Sequence, residues 1–340
     1  MDRDTADGIT ADEFRLYDRQ IRLWGLDTQR KIRESSVLVC GLSGLGAEVA
    51  KNLMLAGVKS LTLMDSEEVT EADLRANFFL VPEDIGKNRA TASSARCREL
   101  NPGVSVSVVT SPAEGLNVDH CRQFSFVCLM EQTFETIGKV NQVCRQAHVR
   151  FCSGNVAGYF GCGFFDFLEQ TYRMAQTVSK DEVHEIGSVE IAEGTLESYH
   201  PLEHVLDVQW KTKKVQKGGR RAKMLSDSYF VFQVLFRFTN IRGSFPFGSQ
   251  QDMVILRKLR DEVLAEFDKC TEKVEFSASF ADYIFGQLSP VCAILGGFLA
   301  SQIINAISEK VQPFNNAIFY DGFENNCQLL KLPLILQCKS

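Results

Sequence analysis

The chain has 340 residues, enough for one large domain or two moderate ones, and its 45% hydrophobic and 24% charged content is that of a folded globular protein, not a disordered or fibrous one. A formal charge of -6 excludes a general nucleic-acid binder, since phosphate affinity is built from an excess of Lys and Arg, so no DNA or RNA partner is expected. The eleven cysteines include no C-x-x-C pair and the start from Met1 to Asp12 is polar, which predicts reduced thiols, an intracellular setting and no structural zinc.

In chain order, the first strong element is Ser36-Val-Leu-Val-Cys40, a short apolar strand. The glycine turn Gly41-Leu-Ser-Gly-Leu-Gly46 follows at once, then a helix over Ala47 to Ala56. A second strand, Ser60 to Met64, ends on Asp65, completing a βαβ unit with an acid at the tip of its second strand. The pattern then predicts a helix from Ile85 to Leu100, strands at Val104 to Val109 and Phe124 to Met130, a helix from Thr136 to His148 and a strand at Val149 to Ser153. Strands alternating with helices predict an α/β fold with a doubly wound, mostly parallel sheet.

Residues 1–169 thus read as an N-terminal arm and the nucleotide-fold part of the domain. Residues 170–226 form a polar excursion with a basic run, Lys211, Lys213, Lys214, Lys217, Arg220, Arg221 and Lys223, whose ordinary reading is a solvated loop. Residues 227–340 return to the same domain. There the aromatic-rich Tyr229 to Phe238, like Phe160 to Phe167, reads as a core or interface strand. Met253 to Phe267 reads as a helix with Val254, Leu256, Leu259, Val263 and Leu264 on its apolar face. The apolar Pro290 to Ile307 is broken by Gly296, Gly297, Ser301, Gln302 and Asn305, which predicts a packed core helix and no membrane association. Asn316 to Gly322 and Gln328 to Leu334 read as two late strands.

Gly41, Gly44 and Gly46 stand where a dinucleotide-type fold needs a tight turn, a close backbone approach and close helix packing, and Asp65 stands where a ribose hydroxyl is accepted. The plain alternative is that the turn only packs the first helix on the sheet. From these residues alone both NAD and ATP remain open as ligands.

The flanking motifs are more specific. Tyr17-Asp-Arg-Gln-Ile-Arg-Leu-Trp-Gly25, the glycine turn with Ala47-Glu48, and Lys51-Asn-Leu-Met-Leu-Ala-Gly57 resemble the ubiquitin-like-modifier activating enzymes. The resemblance runs the length of the chain through Asp65, Asp84-Ile-Gly-Lys-Asn-Arg-Ala90, Leu100-Asn-Pro102, Ser289-Pro-Val-Cys292 and Phe319-Tyr-Asp-Gly322. It implies a Rossmann-like adenylation fold of the ThiF/MoeB type. The short length resembles the smaller, non-thioester-forming subunit of the heterodimeric SUMO-activating enzymes, since no room remains for a cysteine-bearing domain.

That resemblance implies a catalytic partner subunit, SUMO reached through the complex, ATP and Mg²⁺ bound mainly at the partner's site, and a largely nuclear location, with the basic run as an import signal. It also marks departures. The arginine of an Asn-x-x-Arg segment that holds ATP phosphates falls on Ala76 within Asp73-Leu-Arg-Ala76, with Arg75 displaced by one. A family lysine falls on Arg89, and a magnesium-positioning aspartate falls on Gln132, with Glu131 one residue away. The pocket at Gly41, Gly44, Gly46 and Asp65 is therefore expected to be vestigial. Arg19, in the Tyr-x-Arg-Gln signature, is implied to reach the partner's ATP as a finger in trans; spacing alone reads Arg19 and Arg22 as one solvated helical face. Alternatives are an autonomous homodimeric sulfur-carrier-type adenylating enzyme, against which Ala76 and Gln132 speak, and an NAD-dependent dehydrogenase, for which no catalytic constellation follows the nucleotide half.

Overall fold

The structure, a computed structural model, describes residues 10–172, 195–204, 208–212, 225–268, 276–332 and 334–338. Three short helices lead in: α1 (Ala11–Leu16), α2 (Asp18–Trp24) and α3 (Leu26–Glu34). Then come β1 (Ser36–Cys40), α4 (Gly44–Ala56), β2 (Ser60–Met64), α5 (Arg89–Leu100), β3 (Ser105–Val109), α6 (Val118–Cys121), β4 (Phe126–Met130), α7 (Phe134–Ala147) and the hairpin β5 (Arg150–Ala157) and β6 (Phe160–Asp166). The excursion contributes β7 (Glu169–Tyr172), β8 (Thr195–Ser198) and β9 (Val208–Thr212). The chain closes with α8 (Asp227–Arg242), α9 (Gln250–Asp268), α10 (Ser289–Ser308), β10 (Ala317–Asp321), β11 (Asn326–Leu330) and β12 (Leu334–Cys338).

Eight strands form the main sheet in the order β11-β10-β6-β5-β4-β1-β2-β3. β5, β4, β1, β2 and β3 run parallel, and β6, β10 and β11 extend the sheet antiparallel. Helices cover both faces, so central strands are apolar on both sides. In β1, Val37 and Val39 join the core beneath α3, α4 and α10, whereas Leu38 and Cys40 join the core beneath α7, α8 and α9. The doubly wound expectation holds, and the order places the carboxyl ends of β1, β4, β5 and β10 along one edge.

Three local expectations are corrected. Tyr229 to Phe238 is not a strand but the body of α8, closed by Gly243 at φ 70°. Tyr229, Phe230, Val231, Phe232, Val234 and Leu235 are all buried, so a helix packed on every side loses its 3.6-residue signature and its aromatic content imitates a strand. Val254 does not share the buried face of α9 with Leu256, Leu259 and Val263 but is exposed. The excursion carries strands: β7 pairs with β8, and β9 pairs in parallel with β12, which lies beyond the late strands read from sequence. In the basic run Lys211 falls within β9, and residues 213–224 lie outside the described residues. The helix α10 is long and apolar enough to cross a membrane, yet Val291, Cys292, Leu295, Leu299 and Ile303 are buried in the core, as its interrupted sequence predicts.

Candidate functional site

The turn between β1 and α4 is as tight as the glycines predict. Gly41 has φ +89°, where a Cβ would stand 2.1 Å from the Met130 carbonyl, and a Cβ at Gly46 would stand 1.8 Å from the Gly41 carbonyl. The turn leaves backbone N–H groups at the start of α4, where Ser43 makes no side-chain cap. In a phosphate-binding turn such groups face the ligand.

Here the chain supplies the acceptors itself. Leu42 N–H donates to Asp65 Oδ2 at 2.6 Å, and Gly44 N–H donates to Gln287 Oε1 at 2.8 Å. Gln287 is further held as its Nε2 donates to Ser43 Oγ at 3.2 Å. A Cβ at Gly44 would lie 2.5 Å from Ala76 Cβ, 2.9 Å from Gln287 Oε1 and 3.1 Å from Cys292 Sγ, so these three residues pack where a phosphate approaches the turn. Ala76 is buried, while the neighbouring Arg75 is exposed.

The ribose end is equally engaged. Asp65 is buried, and its two oxygens also accept the Glu67 amide at 2.9 Å and the Arg89 fork at 3.0 and 3.2 Å. Arg89 reaches Asp73 Oδ1 at 3.2 Å as well, so one guanidinium neutralises two buried carboxylates. Burial opposes the Arg89 charge, but Asp65 and then Asp73 outweigh it and hold the guanidinium above its usual range. The Arg89 position of the family lysine thus faces inward to carboxylates of its own chain.

At the end of β4, Gln132 Nε2 donates to the Met130 carbonyl at 3.2 Å. Glu131, with φ 57°, turns the other way: its Oε1 accepts the Val156 N–H at 2.7 Å, and Gln287 hydrogen-bonds its carboxyl. Burial pushes that carboxyl up to about 8, which favours its protonated form near neutral pH and makes it a poor anionic ligand for a metal. Burial also pushes the Cys40 thiol up to about 12 and raises that of Cys292, leaving both poor nucleophiles. The nucleotide-turn residues therefore do not fit ATP and Mg²⁺. Sequence reading found Ala76, Arg89 and Gln132 but missed Gln287, whose only local signal is its place two residues before Ser289-Pro.

Arg19 stands at the opposite end of α4. Tyr17 is buried, its ring packed so closely on Gly57 that a Cβ there would lie 2.4 Å from the hydroxyl, which accepts from Asn101 Nδ2 at 2.8 Å. Gln20 Nε2 donates to the Leu55 carbonyl at 2.8 Å, and Trp24 Nε1 donates to Gln29 Oε1 at 3.1 Å. These contacts dock α2 on the carboxyl end of α4 and leave Arg19 exposed, with no ion pair to any described residue. Arg22 instead pairs with Asp18 at 3.0 Å. The 13 residues of α4 separate Tyr17's anchor from the glycine turn by about 20 Å, farther than the Arg19 side chain reaches.

The description ThiF family matches residues 17–338. SUMO-activating enzyme subunit 1 of Homo sapiens is 37% identical over 333 residues, covering 94% of this chain and 95% of that protein. The Danio rerio protein of the same name is 38% identical over 338 residues, covering 94% of each. Among solved structures, one titled "Crystal Structure of SeMet PaaA" superposes with a TM-score of 0.59 at 13% identity, over 96% of this chain and 86% of that one, a likeness of fold alone. With the glycine turn, the doubly wound sheet and these relatives together, the chain belongs to the ThiF family, alongside the SUMO-activating enzyme subunit 1 proteins.

Proposed function

We propose that this chain is the non-thioester-forming subunit of a heterodimeric SUMO-activating enzyme, and that it acts by completing the partner's ATP site. The observation that carries this reading is the placement of Arg19: exposed, free of ion pairs to described residues, and about 20 Å from its own glycine turn, which Gln287 and Arg89 already fill. An arginine so held is out of reach of its own glycine turn and open to a site on another chain. Leu16, Leu23 and Leu55 leave apolar surface exposed on the same helices, and a cavity of about 230 Å³ lined by Gln20, Trp24, Leu55, Gly297 and Ile304 adjoins them, which suits a protein partner.

In this reading the partner binds ATP and Mg²⁺, and the SUMO carboxylate attacks the α-phosphorus there. Arg19 neutralises charge that grows on the phosphate oxygens as pyrophosphate leaves. The isolated chain is inactive, since its own turn is closed. SUMO thioester formation tests this with the chain alone, the catalytic subunit alone, their mixture, and the mixture carrying Arg19→Ala. Activity only in the mixture, lowered by about 10²-fold or more in the variant, is the expected outcome; full activity of the Arg19→Ala mixture would refute the finger.

The basic run from Lys211 to Lys223 is proposed as a nuclear import signal, motivated by its seven Lys and Arg residues in a chain of net charge -6. Unchanged nuclear accumulation after its deletion would remove that assignment.

A further inference from the structure

A second site lies on the same edge of the sheet, beyond the hairpin. At the carboxyl end of β10, a cavity of about 480 Å³ is lined by the aromatic rings of Phe160, Tyr283 and Phe323 and by the carboxylates of Asp227, Asp321 and Glu324. Phe323 is 49% exposed and Tyr283 45% exposed, although both rings are ordered against neighbours. Phe323 stacks on Tyr159 with centroids 4.1 Å apart and meets Tyr283 edge-on at 5.0 Å.

Asp321 is only 5% exposed. Its Oδ1 accepts the Phe323 and Glu324 amides at 2.9 and 3.2 Å, which fixes the carboxylate, while Oδ2 accepts no hydrogen bond from any described residue. Among the described residues, no Lys or Arg lines the cavity. The Asp227 carboxyl is raised by burial and then by Asp321 and Glu324, the mark of negative charge gathered in one place. A fixed carboxylate with one accepting oxygen open to the cavity, two further carboxylates and exposed rings thus meet in one concave place.

We propose that this cavity takes an arginine side chain presented by an extended segment of a protein partner. A guanidinium satisfies all three features at once: its fork fits a carboxylate, its plane stacks on a Phe or Tyr face, and its charge offsets the acidic lining. A divalent cation is a poorer match, because among the described residues no three His, Cys, Asp or Glu side chains converge to hold a metal ion. The exposed shelf of Tyr159, Phe323 and Tyr283 around the mouth adds the amphipathic surface that protein interfaces favour over free small solutes.

The test is fluorescence anisotropy with the full chain and a labelled acetyl-Gly-Gly-Arg-Gly-Gly amide peptide, beside the same peptide carrying lysine or the neutral isostere citrulline. The arginine peptide is expected to bind about tenfold tighter than the citrulline peptide, with lysine between them. Glu324→Gln and Phe323→Leu are each expected to weaken the arginine peptide by about fivefold; both positions are surface-exposed, and a thermal melt checks the fold. Phe323→Leu keeps every charge, so an unchanged affinity there would mean general attraction to an acidic chain and would overturn the site. Equal binding of the arginine and citrulline peptides would overturn it too. So would binding that appears only after neutralising Arg220, Arg221 and Lys223, which precede Leu225 in sequence, because the cavity's occupant would then be this chain.

Discussion

The carboxyl edge of the sheet has two regions of opposite character. At the β1–α4 turn, Gln287 caps the Gly44 amide, Ala76 and Cys292 fill the space beside it, and Arg89 saturates Asp65. At the end of β10, Asp321 keeps a carboxylate oxygen with no partner among the described residues, beside half-exposed rings. The first region retains the glycine spacing of a nucleotide site while side chains of its own chain engage the polar groups of the turn; the second, which includes the Phe319-Tyr-Asp-Gly322 run, is an open cavity. Glycine spacing reports how a backbone turns, whereas the availability of polar groups depends on what packs against them, often from far along the chain. Family membership and ligand occupancy are therefore separate questions here.

The contrast predicts a graded set of outcomes. The largest effect is expected from Arg89→Ala, which leaves Asp65 and Asp73 buried without their cation and should cost about 3–5 kcal/mol in urea unfolding. A loss below about 1 kcal/mol would mean the filled end is not held together by this pair. Next, Gln287→Ala strips the acceptor from Gly44 and should cost about 1–3 kcal/mol. It should still give no thermal shift with ATP and Mg²⁺, since Arg89 remains on Asp65; a clear rise in melting temperature would show that Gln287 alone closed the pocket.

Glu131→Gln gives an effect that depends on pH. The wild-type carboxyl stays protonated in the fold up to about 8, whereas the unfolded chain ionises above 4.5. Its contribution to stability is thus full below that lower value and declines as the pH rises through the interval to about 8. The variant should be the more stable protein at pH 8 by roughly 2–4 kcal/mol, with the gap closing near pH 5; parallel stability curves would contradict the burial argument. The smallest change is expected at the open end, where Phe323→Ala removes a half-exposed ring and should cost under about 1 kcal/mol. A loss as large as that of Arg89→Ala would make the rings a structural core and erase the contrast.

Much of the architecture was legible in the residue order. The apolar run Ser36 to Cys40, the three glycines and Asp65 specify a βαβ unit locally, because strand, turn and helix each depend on neighbours within a few positions. That Ala76 and Gln132 bring no charge to the turn was legible too, since charge is a property of residue type. The helix α8 was not, because burial on all sides removes the alternation of polar and apolar residues from which a helical face is read.

The sequence by itself thus determined the fold class, the tight turn and the absence of charge at Ala76 and Gln132. Only the tertiary structure decided that Gln287, 243 residues beyond Gly44, would accept that glycine's N–H, that Arg89 would turn inward to Asp65, and that Arg19 would be carried to the far end of α4. It likewise decided that Asp227, Asp321 and Phe323 would share one cavity. Local propensity depends on neighbours in the chain, whereas which donor meets which acceptor is settled by the packing of distant segments, since each buried polar group must find a partner wherever the fold provides one.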